Sequence, residues 1–158
     1  MKPRTRIFRA AAAACALFSV PAVAGQTRPV LGLAEARTVA AEAAEQARQR
    51  NAGGAIAIVD DGGHLLYLER LDGTFPSAAV VATEKARSAA TFRKPTADFE
   101  NAVKGGRNAL LGVDVLTPLE GGVPIYLEGQ VVGAIGISGA ASAAQDAEIA
   151  RAAAAAVR

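Results

Sequence analysis

Hydrophobic and polar positions follow two spacings along this chain, one typical of helices and the other of strands. Between positions 33 and 50, small apolar side chains recur every three or four residues and Glu and Arg occupy the opposite side, which predicts an amphipathic helix. The apolar run 55–59 is bounded by turn residues and predicts a buried strand. The Asp-Asp-Gly-Gly turn that follows leads into a second strand over 64–70, so the two strands are expected to form a hairpin.

The second half of the chain contains another hairpin between helices. Pro76 suits the first turn of a helix that runs to about Phe92 and ends before Pro95. The remaining predicted elements are a short helix from 96 to 104, strands at 123–127 and 130–138 around a Glu-Gly turn, and a final helix from a capping box at 142 to 157. Paired hairpins indicate an antiparallel sheet, whose faces the helices must cover. The pattern therefore predicts a mixed α/β (α+β) fold.

Residues 1–24 have the three-part pattern of a secretory signal. Four basic residues and no acid lie in 1–9, ahead of an apolar run over 10–20, and Pro21 then breaks the run. Small residues at 22 and 24 suit a signal peptidase, so we expect cleavage after Ala24. The run is short for a bilayer span. The sequence thus predicts a periplasmic or secreted protein without stable membrane insertion after cleavage, with an uncleaved N-terminal anchor as the alternative.

Removal of this segment changes the charge of the protein. The chain has 17 basic and 15 acidic residues, and four of the basic ones lie in 1–24, so the remainder carries a formal charge of −2. The single cysteine, Cys15, lies in the same segment, which excludes disulfides and thiolate metal sites from the rest. No basic stripe interleaved with aromatic residues points to nucleic acid. We interpret 25–32 as an exposed lead-in and 33–158 as one domain.

His64 is the only histidine of the chain, and it is our candidate metal ligand. Neutral imidazole binds haem iron well, and a strand start beside a glycine turn leaves room for a flat ligand. A histidine that merely hydrogen-bonds its own turn is the competing interpretation. Multi-histidine metal sites, a G-x-S-x-G nucleophile elbow and a dinucleotide-binding loop have no support in the pattern. A binding protein is therefore favoured over a conventional enzyme.

Basic residues cluster in and after the helix predicted at 77–92. Arg87, Arg93 and Lys94 could hold the carboxylates of a ligand, with arginine binding in bidentate fashion. They could equally form a solvated face that complements the helix dipole. The pair Gly121-Gly122, just before a strand, permits either close approach of a ligand to main-chain N–H groups or a plain turn.

Six sequence segments, in order along the chain, resemble the pattern of the GlcG/HbpS-like haem-binding family. This family is related to the C-terminal domain of PduO-type proteins. The similarity covers nearly all of residues 33–157, and the spacing of the segments matches. The segments are VDDGGHL at 59–65, RLDG at 70–73, KARSA at 85–89, FRKPT at 92–96, GGVP at 121–124 and GAIGISG at 133–139, followed by Gln145-Asp146.

The resemblance implies a profilin-like α-β-α sandwich in which helices cover an antiparallel sheet of about five strands. It also implies frequent assembly into homo-oligomers and binding of haem or related tetrapyrroles, with exported members linked to haem or iron sensing. By the same resemblance, the ligand site uses the helix motif and the Pro-Thr step, here Lys85, Ser88 and Thr96. Whether a hydroxyl of this motif or the imidazole of His64 coordinates iron stays open at this point.

We therefore predict an exported haem-binding protein that serves in haem or iron sensing, storage, scavenging or slow haem degradation. His64 is expected to bind the iron, and the other expected haem contacts are Lys85, Arg87, Ser88, Arg93, Thr96, Gly121 and Gly122. An alternative is a binder or accessory enzyme of the same fold for a small organic acid, with Asp60 or Asp146 as a base. A third hypothesis is an oligomeric interaction protein whose small-residue surfaces serve assembly alone.

Overall fold

The computed structural model describes residues 28–157, so the expected signal segment 1–24 and part of the lead-in lie outside the described residues. Every helix and strand that the pattern predicts is present. The elements are α1 (Leu33–Gln49), β1 (Ala55–Asp60), β2 (Leu65–Arg70), α2 (Ala78–Phe92), α3 (Thr96–Lys104), a 3-10 helix (Asn108–Gly112), β3 (Gly122–Leu127), β4 (Gln130–Ser138) and α4 (Ala143–Ala154). None of the described helices is both long and apolar enough to cross a membrane.

The sheet is antiparallel throughout and has the strand order β2-β1-β4-β3. Each predicted hairpin forms, and the two hairpins join along β1 and β4, where Ile56 pairs with Ile137. The expectation of about five strands is corrected to four within the described residues. The long connection 105–121 adds no strand because four glycines and a proline interrupt its apolar positions, and it forms the 3-10 helix and irregular chain instead.

One face of the sheet packs against α1 and α4 through large apolar side chains. Ile56 and Ile58 of β1 and Ile135 and Ile137 of β4 point to this side and are almost completely buried. They meet the small residues of α1, which are mostly alanines around Val39. This cluster is the larger of the two hydrophobic cores, one on each side of the sheet.

The opposite face packs against α2 through alanine and glycine. The side chains that meet here are Ala55, Ala57, Val59 and Ala134 of the sheet and Ala78, Ala82, Ala86, Ala89 and Ala90 of α2. A side-chain carbon on Gly136 would lie only 2.0 Å from the carbonyl oxygen of Ala82, and one on its partner Gly122 only 2.3 Å from that of Lys85. The alternation of Ile and Ala in β1 therefore lets α2 lie directly on the sheet, without large side chains between them.

Candidate ligand-binding site

The turn between β1 and β2 presents His64 to solvent. Asp60 organises this turn, because one of its carboxylate oxygens accepts hydrogen bonds from the main-chain N–H groups of Gly62 at 2.9 Å and His64 at 2.8 Å. The His64 Nδ1 lies 3.2 Å from both carboxylate oxygens, while the side chain is 82 % exposed. A carboxylate can only accept, so Nδ1 carries the proton in a neutral ring and the lone pair of Nε2 is free for a ligand.

The carboxyl group of Asp60 is held in its ionised form. Burial by itself raises the pKa of Asp60, but hydrogen bonds from the main chain and ring of His64 and from Gly62 outweigh this effect, and the pKa lies below its ordinary value. A carboxylate that accepts from one ring nitrogen orients the imidazole and makes the other nitrogen more basic. The turn thus holds His64 as a metal-ligating histidine is usually held.

Helix α2 braces this turn from the α2 face of the sheet. Gly63 has a φ of 83°, and a side-chain carbon there would lie 2.8 Å from Cγ of Arg87 and 3.2 Å from Cγ2 of Thr91. The Arg87 Nε donates to the Gly63 carbonyl at 3.4 Å, and its Nη1 donates to Glu84 at 2.6 Å. The predicted site residue Arg87 therefore supports the turn that carries His64.

A cavity of about 430 Å³ opens at the β3–β4 hairpin. Its lining residues are Arg28, Arg93 and, from the β3–β4 hairpin, Tyr126, Gly129, Gln130 and Val131. Arg28 also forms an ion pair with Asp61, which joins the cavity wall to the turn that carries His64. We refer to the β1–β2 turn and this cavity together as the hairpin end.

Lys85 and Asp146 form a buried ion pair in the interior. The Lys85 Nζ lies 2.9 Å from a carboxylate oxygen of Asp146 and donates to the carbonyl of Ile137 at 3.0 Å. The other carboxylate oxygen of Asp146 accepts from the N–H of Ala140. Gly121 makes room for the pair, since a side-chain carbon there would lie 2.9 Å from Nζ. The pair connects α2 to α4 past the end of the sheet.

Ser88 and Thr96 hydrogen-bond to the main chain near the start of β3. The Ser88 hydroxyl accepts from the N–H of Thr117 at 2.8 Å, and the Thr96 hydroxyl accepts from the N–H of Gly122 at 2.9 Å. Both side chains are at most 1 % exposed. These groups, with the Lys85–Asp146 pair and Gly121, form what we call the interior polar network.

The predicted site residues therefore divide into two groups. Three of them belong to the hairpin end: His64 lies on the β1–β2 turn, Arg87 contacts that turn, and Arg93 lines the cavity. The buried residues belong to the interior polar network and contact other parts of the protein; they are Lys85, Ser88, Thr96, Gly121 and Gly122. Asp146, a candidate base in the organic-acid hypothesis, is engaged with Lys85. The role of the buried residues as direct ligand contacts stays a prediction.

The sequence reasoning missed Arg28, Tyr126 and Gln130, which line the cavity. They come from the lead-in and the second hairpin, and no local pattern connects them to α2. Within the described residues, no three His, Cys, Asp or Glu side chains lie close enough to hold a metal ion together. A single exposed histidine suits a metal that is already held by a cofactor ring.

Comparison with known proteins places this geometry in a family. The family model described as haem-degrading protein HbpS-like matches residues 31–155. Over 113 residues the chain is 45 % identical to protein GlcG of Escherichia coli K12, and the match covers 72 % of this chain and 84 % of GlcG. The match thus includes most of each protein.

Solved structures share the fold. A double mutant of HbpS from Streptomyces reticuli superposes with a TM-score of 0.77 at 30 % identity and covers 90 % of this chain and 97 % of its own. A complex of PduOC with haem superposes with a TM-score of 0.75 at 25 % identity, with coverage of 82 % and 96 %. The α-β-α arrangement of this chain is therefore that of HbpS and of the PduOC protein.

Proposed function

The chain belongs to the HbpS-like family of haem-degrading proteins, and on that premise we propose that it binds haem, or a related tetrapyrrole, at the hairpin end with His64 as the axial ligand. The observation that carries the proposal is the pairing of an exposed imidazole with a carboxylate on its Nδ1 side. This arrangement leaves Nε2 directed away from Asp60 and able to bind iron.

The two hydroxyls that compete with His64 for this role are less suited to it. Ser88 and Thr96 are buried, and each already accepts a hydrogen bond from a main-chain N–H. Iron would reach them only if those bonds broke and α2 moved from the sheet. Imidazole is also the more common haem ligand of the two kinds of group, so both accessibility and chemistry favour His64.

Bound haem would supply the redox chemistry of its iron, including slow reaction with peroxide or reductant. The chain's own residues bind and orient: Asp60 holds the ring of His64, and Arg87 holds the turn. We propose that the protein serves in haem or iron sensing, storage or slow haem degradation. The signal-like segment 1–24 supports action in the periplasm or outside the cell.

Assembly into a homo-oligomer is part of this proposal. Apolar side chains stand exposed on the connection between α3 and β3 and on α2, among them Leu111 at 64 %, Val115 at 61 % and Val80 at 65 %. Exposed apolar side chains on neighbouring segments favour contact with another protein surface. We propose a second copy of the chain as the partner. Light scattering after size-exclusion chromatography of the protein lacking 1–24 tests this, and a monomer at micromolar concentration would contradict it.

The decisive experiment is a visible-absorption titration with hemin of the protein lacking residues 1–24. We expect a saturable Soret shift in the wild type and its loss or marked change in His64→Ala, since the axial ligand sets the spectrum. Asp72→Ala is the matched control, because Asp72 is an exposed turn residue that follows the other end of β2.

Three results can be told apart. A shift that survives unchanged in His64→Ala would leave haem binding in place and remove His64 as the ligand. An absent shift in the wild type would refute haem binding itself. We expect the Soret shift in the wild type and in Asp72→Ala, and its loss in His64→Ala.

A further inference from the structure

The cavity at the hairpin end presents hydrogen-bond donors and no acid. Arg28 and Arg93 contribute guanidinium groups, Tyr126 a phenol hydroxyl and Gln130 an amide, while no Asp or Glu is among the lining residues. Its volume of about 430 Å³ falls within the range of about 300–1,000 Å³ that is usual for small-molecule sites. A concave site lined in this way selects an anion.

The two arginines differ in how their charge is compensated. Arg28 is paired with Asp61, whereas Arg93 has no carboxylate within ion-pair distance among residues 28–157. The cavity therefore keeps one uncompensated positive charge. Planar guanidinium groups bind a carboxylate through two parallel hydrogen bonds, which a single lysine cannot do.

The main chain at Arg93 has a left-handed conformation, which glycine adopts more easily than arginine. Arg93 follows the last residue of α2 with φ 56° and ψ 37°, and its N–H and that of Lys94 donate to the carbonyls of Ala90 and Ala89. This left-handed position after a helix is usually glycine, because other side chains are strained in that conformation. An arginine at this position supplies a side chain to the cavity where stability alone would favour glycine.

We propose that this cavity is a carboxylate-binding site, with Arg93 as its principal anchor and Arg28 and Tyr126 as the second wall. The carboxylate can come from a propionate of haem bound at His64 or from a free small dicarboxylic acid. The haem source rests on the function proposed above, and the free-acid source does not. The ion pair between Arg28 and Asp61 would then couple occupation of the cavity to the turn that carries His64.

Arg93→Gly provides a test that does not depend on a destabilised protein. The substitution removes the guanidinium but relieves the left-handed main chain, so the variant should melt at or above the temperature of the wild type. Arg151→Ala is the matched control, because Arg151 is an exposed arginine of α4 and does not line the cavity. Both variants and the wild type are titrated with hemin, with hemin dimethyl ester and with succinate, in the protein lacking residues 1–24.

If haem is the source, the wild type should bind hemin about tenfold or more tightly than its dimethyl ester, and Arg93→Gly should abolish that preference. If a free acid is the source, succinate should bind the wild type and the control but bind Arg93→Gly about tenfold or more weakly. The inference is overturned if no ligand depends on Arg93. Binding of succinate without any Soret shift would refute the haem function and leave the carboxylate site standing.

Discussion

The interior polar network and the hairpin end contain similar groups but place them in opposite surroundings. In the network, Lys85 and Asp146 are at most 5 % exposed and satisfy each other and nearby main-chain groups. At the hairpin end, the Nδ1 of His64 faces the carboxylate of Asp60, and the imidazole is almost fully exposed. The first pair has no free atom for a ligand, and the second has Nε2.

This difference indicates that the motifs shared with the family have two roles: some hold the fold together and one presents a group to a ligand. The segments that contain KARSA, FRKPT and GGVP place the side chain of Lys85 in the interior and bring Thr96 and Gly122 close to α2, where these residues hold the helix against the sheet. The segment that contains VDDGGHL ends on the surface. We therefore expect substitutions in the network to change stability and substitutions at the hairpin end to change ligand binding.

Lys85→Met should have the largest effect on stability. It leaves the carboxylate of Asp146 buried without its cation, and the free energy of unfolding should fall by about 3–5 kcal/mol, as measured by urea denaturation. Adding Asp146→Asn should restore part of the loss, because the uncompensated charge is then removed. The hemin spectrum of the remaining folded protein should not change. A loss below about 1 kcal/mol would mean that the pair contributes little.

Thr96→Val should have an intermediate effect. The substitution keeps the shape of the side chain but leaves the buried N–H of Gly122 without its acceptor, at a cost of about 1–3 kcal/mol in urea denaturation. Thr38→Val on α1 is the control, since its exposed hydroxyl only bonds back to Ala34 and should cost less than about 0.5 kcal/mol. Equal losses in the two variants would contradict the role given to Thr96.

Glu100→Gln should have a smaller effect that depends on pH. Burial raises the pKa of Glu100, but hydrogen bonds from Lys104 and from the N–H of Glu120 outweigh it and bring the pKa below its ordinary value. A lowered pKa in the folded state adds stability above the unfolded value of about 4.3, and this stability is lost as the pH falls through the folded pKa.

The variant should therefore lose about 1 kcal/mol at pH 7, and its difference from the wild type should shrink below about pH 4. Urea denaturation at several pH values measures both quantities. Glu148→Gln, at an exposed position of α4, provides the control. A difference that stays constant from pH 7 to pH 3 would show that the charge of Glu100 is not involved.

Asp60→Asn should change stability least and haem chemistry most. Asparagine can still accept the main-chain hydrogen bonds of the turn but lacks the charge that strengthens them, so the free energy of unfolding should fall by less than about 1 kcal/mol. The imidazole of His64 would lose its carboxylate partner and become a weaker donor to iron, which should raise the reduction potential of bound haem in a spectroelectrochemical titration. Asp72→Asn is the control, because Asp72 is an exposed residue in the turn after β2. An unchanged potential would contradict the pairing of Asp60 with the iron ligand.

Local patterns in the sequence were sufficient to predict the helices, the two hairpins and the chemistry of single residues. Spacing of three or four residues identified α1, and the alternation of Ile and Ala in β1 already separates the two faces of the sheet. The turn from Asp60 to His64 could be predicted because all its groups lie within five consecutive residues. Interactions of this kind are encoded locally and do not depend on how distant segments pack.

Contacts between distant segments were decided only by the tertiary structure. Lys85 and Asp146 are 61 residues apart, and nothing in either motif indicates that the two neutralise each other inside the protein. The cavity joins Arg28, Arg93 and Tyr126 from three separate parts of the chain, and only the packing of the lead-in, the end of α2 and the β3–β4 hairpin brings them together. Burial and proximity result from packing the whole chain, so a sequence motif determines which groups are present and the fold determines which of them a ligand can reach.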